Sequence, residues 1–457
     1  MLNNAKLSPV RTKKKPLKLT VVGGGSYFVP SFIGSMVSKP GIWEDAEISL
    51  FDTNRERVRL VKAFTEKYVA RQGIRMTFTD QPNQDKALHG ADFVITTFRI
   101  GGEKALHMDE SIPPRFGYFG DETAGPGGMF MAIRTVPMAI ALAKKMEKYC
   151  PNAWFLNYAN PSHYITEGVL KTTRIKCVGL CDNYIAAKYD NCFLLGIDNS
   201  EVKKIEVRFA GYNHCNFVYS ASYKGRDLLK ELKNLSTANR NKRLSKIKSA
   251  WGKWAFSRGL ELLDMTGRYP VATGHSMPYF YHADFLKHQL EAGAGHRHVG
   301  KYNKEKWDTL KSQLVNYEDE VANKVVRAQH GGAHADLAVG FASAIAADTG
   351  EAFPMNMLNG NTIPGFAKNE VAEFYANVSK NGCTPVKVPA FPPVLYAQQQ
   401  LLFAYKRLVM QGILEKNKTK FIEALMIHPF TSSVSKAKEL FENMWKLEKG
   451  VHGNYWK

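Results

Sequence analysis

Cys181, His214 and Asn160 are the residues with the most chemistry to offer, and each follows a strand-like run. Cys181 and Asp182 stand in VGLCDNY, His214 in GYNHCN, and Asn160 three residues beyond Asn157 in FLNYANPSH. A thiolate and a neutral imidazole make a partial shell for Mn²⁺, Fe²⁺ or Co²⁺ that substrate hydroxyls can complete. Their separation is not a metal motif. Alone, the cysteine reads as a small buried hydrophobe and the histidine as a structural hydrogen bonder.

A second site is carried by glycines. VVGGGSYFVPSF sets Gly23, Gly24, Gly25 and Ser26 between an apolar run and a helix-like one. Glycines there let the backbone approach a pyrophosphate, whose charge the helix N-terminus attracts. Phe28 takes the third glycine position of the usual fingerprint. Asp52 ends the next run, ISLFD. A carboxylate there accepts both ribose hydroxyls and repels a 2′-phosphate, so NAD is expected rather than NADP. Arg55 lies close by and counts among the cofactor-binding candidates.

Such residues need a sheet whose strands end together. The runs KLTVVG (18–23), ISLFD (48–52), RMTFTD (75–80), DFVITTF (92–98), AWFLNYA (153–159) and IKCVGL (175–180) alternate with helix-like segments such as 54–72 and 129–149. That pattern predicts an α/β fold with a Rossmann-type doubly wound parallel sheet, binding ligands beyond the carboxyl ends of its strands. Residues 202–224 read as antiparallel strands, and helical stretches dominate from 226. The expected division is a basic tail (1–17), an NAD-binding domain (18–198) and an α+β catalytic and oligomerisation domain (199–457).

The bulk numbers exclude several classes. Of 457 residues, 44% are hydrophobic and 23% charged, an ordinary globular composition. The charge balance is 62 − 42 = +20, but no basic face interleaved with aromatic platforms and no nucleic-acid-binding module accompanies it. An anionic substrate, cofactor phosphates or solubility account for the charge. No apolar run approaches a membrane span, and no secretory leader is evident. Six cysteines without paired spacing suit a reducing compartment, so a cytoplasmic location is expected.

Taken together, the segments resemble glycoside hydrolase family 4, the NAD- and metal-dependent glycosidases. GDETAGPGGMFMAIRTVPMAI (120–140) is similar to that family's Glu-Thr-x-Gly-x-Gly-Gly segment with its Arg-Thr-x-Pro helix. AWFLNYANPSHYITEGVL, VGLCDNYI, GYNHCNFVY, HGGAHADLAVGFASAI and NMLNGNTIPGF match in order, over roughly residues 18 to 430. The resemblance implies a second domain like that of lactate and malate dehydrogenases. It also implies cleavage by C3 oxidation, C1–C2 elimination, water addition and re-reduction, outside the usual two-carboxylate scheme. Cys181 and His214 would be the metal ligands, Mn²⁺ first, and Asn160 would bind substrate near C2 and C3. Asp182 is the first candidate acid for the leaving oxygen and Glu122 the second. The base is often a tyrosine in an aromatic-rich loop, here GRYPVATGHSMPYFYHADF (267–285), with Tyr279 and Tyr281 as candidates and His275 as runner-up. A homodimer or homotetramer is implied as well.

Two positions depart from the phospho-sugar members. Leu106 and His330 stand where those members tend to carry arginines, and guanidinium forks suit phosphate. Arg99, Arg115 or Arg134 could substitute. The expectation is therefore an unphosphorylated or otherwise anionic glycoside, such as a uronide. Asp182 points instead to a 6-phospho-α-glucosidase, the alternative. The rivals are a malate- or lactate-type dehydrogenase and an inactive NAD-binding sensor.

Overall fold

The computed structural model describes residues 15–291, 299–327, 333–451 and 454–456. Six short strands realise the expected alternation: β1 (Lys18–Val22), β2 (Glu47–Phe51), β3 (Thr77–Asp80), β4 (Phe93–Thr96), β5 (Trp154–Asn157) and β6 (Lys176–Gly179). They run parallel in the order β3-β2-β1-β4-β5-β6. Leu19 and Val21 of β1 are fully buried in one core while Val22 packs into another, as apolar strands covered on both faces require. Chain direction across the sheet reverses between β1 and β4, and the crevice at that switch point is where such sheets take ligands.

The second region extends the same sheet. β7 (Glu206–Tyr212) and β8 (Cys215–Tyr223) form the expected antiparallel hairpin, followed by β9 (Arg226–Asp227), β10 (Tyr269–Pro270), β11 (Glu351–Leu358), β12 (Val371–Ser379) and β13 (Gly382–Pro385). The full order is β10-β8-β7-β12-β11-β6-β5-β4-β1-β2-β3. Asn356 of β11 faces Gly179 of β6, and Glu373 of β12 faces Gly211 of β7. Backbone pairing thus crosses the expected boundary near 196–200. Helices of the second region, Asp319–Arg327 and Ala333–Ala347, also pack on the Val29–Val37 helix behind β1.

Strands β11 to β13 were not expected in a stretch read as helical. Pro354 inside EAFPMNML hides the strand. Pro354 faces Tyr375, whose carbonyl accepts the Val386 N–H on its other side. The two residues are therefore a non-hydrogen-bonded pair, and the β12 ladder does not need the donor that proline lacks.

The Pro126–Tyr149 helix is the central one. By length and composition it could cross a membrane, contrary to the reading that no apolar run has that reach, yet 89% of its most apolar window is buried inside the protein. A Cβ on Gly127 would come 2.4 Å from the Asp109 carbonyl, and one on Gly128 2.2 Å from that of Thr123. The glycines of GPGG therefore let the helix start pressed against the loop that carries Asp121 and Glu122.

Candidate active site

Each candidate is placed by an element end. Asn157 closes β5, accepting from Thr96 Oγ1 (2.9 Å) and from the Ala159 N–H (3.2 Å). This tethers the turn that carries Asn160, which is half-buried. β6 ends at Gly179, and Cys181 follows, buried at 6% exposure. Asp182 occupies the N-cap position of the Asn183–Leu195 helix and makes no side-chain capping bond.

His214 is the second residue of the two-residue turn between β7 and β8, at φ +68°. A non-glycine residue in the left-handed region costs about 1–3 kcal/mol, and such residues cluster at functional sites. Its Nδ1 is buried without a hydrogen-bond partner among the described residues. Burial holds its pKa down to about 4, with His275 adding to the shift against Asp121, Glu122 and Asp182. The ring is therefore a neutral ligand at ordinary pH.

Glu373 of β12 ties the hairpin down. Its Oε2 accepts from Asn213 Nδ2 (2.8 Å) and Asn216 Nδ2 (2.5 Å). Burial pushes its carboxyl up to about 8. Burial, then Glu373, then Asp182 push the Cys181 thiol well up, while the Asn183 N–H and the Asn213 side chain pull it down. Without a cation this cysteine is a thiol; a bound divalent ion reverses that balance.

These features fit a divalent cation. Among the described residues no three His, Cys, Asp or Glu side chains gather closely enough to cage one alone. A thiolate and an orphaned imidazole supply part of a shell and leave positions for substrate or water oxygens. The β1 turn fits a dinucleotide. Gly23 has φ +100°, and a Cβ on it would come 2.5 Å from Thr97 Oγ1. The Val29–Val37 helix has no side-chain cap and no acidic residue in its first turn, so its positive end is uncompensated. Ser26 Oγ accepts the Phe28 N–H at that end. Asp52 closes β2 and accepts the Gly25 N–H (3.1 Å) and the Asn54 N–H (2.9 Å), which fixes it beside the glycine turn.

Several expected residues do other work. Arg55 pairs with Asp80 and donates to the Gln81 carbonyl (3.1 Å), so its guanidinium turns toward β3 instead of a cofactor. Arg134, 1% exposed, pairs with Asp109 (2.5 Å) and Glu448 and donates to the Ile100 carbonyl. It braces the C-terminal segment and has no face left for substrate. Arg99 pairs with Glu122. Tyr279 is buried among Phe119, Phe430 and His428, and Tyr281 lies against Trp254 with Arg258 over its ring. His330 lies outside the described residues.

His275 is placed differently. Its ring centroid is 4.8 Å from that of His214, and its Nδ1 is 2.8 Å from Asp121 Oδ2. Asp121 and Glu373 were missed in the sequence. The signal for Glu373 was a lone acid inside the apolar strand VAEFYANVS; for Asp121 it was the acid beside Glu122, overlooked in favour of its neighbour.

Comparison with known proteins matches residues 18–191 to the family described as family 4 glycosyl hydrolase, and residues 209–431 to the C-terminal domain of the same family. A probable 6-phospho-beta-glucosidase of Bacillus subtilis is 28% identical over 95% of this chain and 97% of its own. The crystal structure of a 6-phospho-alpha-glucosidase from gut microorganisms, in complex with NAD and Mn²⁺, superposes with TM-score 0.80 at 20% identity, covering 96% of this chain and 99% of that one. A malate dehydrogenase of Cryptosporidium parvum shares the architecture at TM-score 0.54 and 13% identity, over 88% of this chain and 99% of that one. The second region, like the first, thus follows the dehydrogenase-type plan expected from the sequence.

Proposed function

The chain belongs to glycosyl hydrolase family 4, and from that premise we propose that it hydrolyses a 6-phosphorylated glucoside with NAD and a divalent cation, Mn²⁺ first, as cofactors. The observation that carries the reading is the pairing of two sites on one sheet. Cys181, just past β6, and His214, at the tip of the β7–β8 hairpin, are both buried, with Asn213 of that tip acting on the Cys181 thiol and Asp182 on the His214 ring; the glycine turn and Asp52 sit at the carboxyl ends of β1 and β2.

When bound, NAD⁺ and the cation supply a reversible oxidation at C3 of the sugar and a Lewis acid beside it, which makes the C2 proton removable. The chain's own residues do the rest. Cys181 and His214 would hold the cation. Gly23 to Gly25 and the uncapped helix end would receive the pyrophosphate, and Asp52 the ribose. Asn160 would orient the sugar hydroxyls. Asp182 would give a proton to the leaving oxygen, with Glu122, already engaged by Arg99, as the weaker candidate.

Two observations support phosphorylation. The relatives named above act, by name, on phosphorylated glucosides, and Asp182 after the metal cysteine resembles the phospho-α-glucosidase type. A second reading, the unphosphorylated or uronide glycoside expected first, is favoured by Leu106, an apolar side chain 3% exposed, and by the ion pairs that hold Arg99 and Arg134. Six free cysteines support a reducing, cytoplasmic setting; dimer or tetramer assembly remains part of the proposal. The test is kcat/KM with NAD⁺ and Mn²⁺ for p-nitrophenyl 6-phosphoglucosides, glucosides and glucuronides. The proposal expects the phosphorylated substrate to lead by about 10⁴-fold, the loss when a site's buried polar groups are left unpaired. A lead for glucosides or glucuronides would install the second reading.

A further inference from the structure

His275 belongs to the short Thr273–Ser276 helix after β10. Three contacts fix that segment against the hairpin tip. Val271 N–H donates to the Asn216 carbonyl (3.0 Å), Ser276 Oγ donates to the His214 carbonyl (3.1 Å), and the His275 ring meets that of His214 edge-on at 63°. These contacts hold the His275 ring beside that of His214, at 4.8 Å between centroids.

Asp121 approaches from the opposite side. Its Oδ1 accepts the N–H groups of Thr123 (2.6 Å) and Ala124 (2.8 Å), and its Oδ2 meets His275 Nδ1 at 2.8 Å. The Asp121 side chain is fully buried, whereas that of His275 is 27% exposed. A carboxylate so fixed places the imidazole proton on Nδ1. In the neutral ring Nε2 then carries a lone pair.

We propose that His275, aligned by Asp121, is the base that takes and returns the C2 proton, in place of a tyrosine from this loop. The inference rests on the glycosidase reading above. With C3 oxidised to the ketone by NAD⁺, the C2–H bond breaks and its proton passes to His275 Nε2. The electron pair forms C1=C2, and the C1–O bond breaks with its pair to the leaving oxygen, which takes a proton from the acid. Water then adds its hydroxyl to C1 and gives its second proton to the carboxylate of the spent acid, His275 returns its proton to C2, and the hydride held by bound NADH would return to C3, whose oxygen takes back from solvent the proton released in the oxidation. Asp121 touches no reacting atom; it is a positioning residue that sets the tautomer, the arrangement known from serine-protease triads. Tyr279 is 4% exposed with a buried hydroxyl, whereas the His275 side chain is 27% exposed.

The test uses the holoenzyme with the p-nitrophenyl glycoside cleaved best in the panel above. Exchange of C2–H in D₂O is followed by NMR, and Mn²⁺ binding to the protein by the EPR signal of free Mn²⁺. Wild type should exchange. His275→Ala should lose at least about 10²-fold in exchange and in kcat, bind Mn²⁺ as wild type does, and recover with added imidazole. Asp121→Asn, which keeps an acceptor for the two backbone N–H groups, should lower kcat with KM and Mn²⁺ affinity unchanged; Asp121→Glu should restore part of it. Undiminished exchange in His275→Ala overturns the role. Loss of Mn²⁺ binding in His275→Ala or His275→Gln overturns it too, and makes His275 a third metal ligand. No exchange in wild type removes the parent reaction, and the role with it.

Discussion

At the residue scale, Glu373 shows how burial and chemistry trade. Its folded pKa of about 8 lies above the ordinary glutamate value of about 4.3. A carboxyl that binds its proton more tightly when folded loses stability for the protein as pH rises from the unfolded value through the folded one. Glu373→Gln keeps an acceptor for Asn213 and Asn216 and removes the charge. In metal-free protein the variant should melt with wild type near pH 5 and above it at pH 8, by up to about 4 kcal/mol. Equal melting temperatures at both pH values would contradict the buried, strained carboxylate. Residue roles were unevenly legible from sequence. Cys181, His214 and Asn160 follow apolar runs, so their place at strand ends could be read. Asp121 and Glu373 earn their roles through partners 154 and 157 to 160 positions away, and no local pattern announces such a partner.

At the element scale, the parallel strands were legible to within about two residues, because each is a short run of β-branched and aromatic residues bounded by turn formers. β11 was not, since Pro354 breaks the pattern and is tolerated only by the pairing phase. Nor was the fate of Arg134 visible. It stood as a substitute for the arginines missing at positions 106 and 330, but Asp109 and Glu448 converge on it from segments 25 and 314 positions away. Breaking a buried ion pair by removing one partner costs about 3–5 kcal/mol. Arg134→Ala should therefore lower thermal stability by that amount, measured by denaturant or thermal melts. A fully stable variant with a raised KM would return Arg134 to the substrate site.

At the scale of the whole molecule, the two sites depend on one sheet. β6 carries Cys181, and the hairpin of β7 and β8 carries His214. The path between them runs through β11 and β12, where Asn356 faces Gly179 and Glu373 faces Gly211. The second region thus supplies one half of the proposed metal site on a scaffold continuous with the nucleotide-binding half. The most direct measurement is product analysis in D₂O with NAD⁺ and Mn²⁺. The account predicts aglycone release that needs both cofactors, one deuterium at C2 of the sugar product and no net NADH. Aglycone release without C2 deuterium, or steady NADH formation without release, would contradict it.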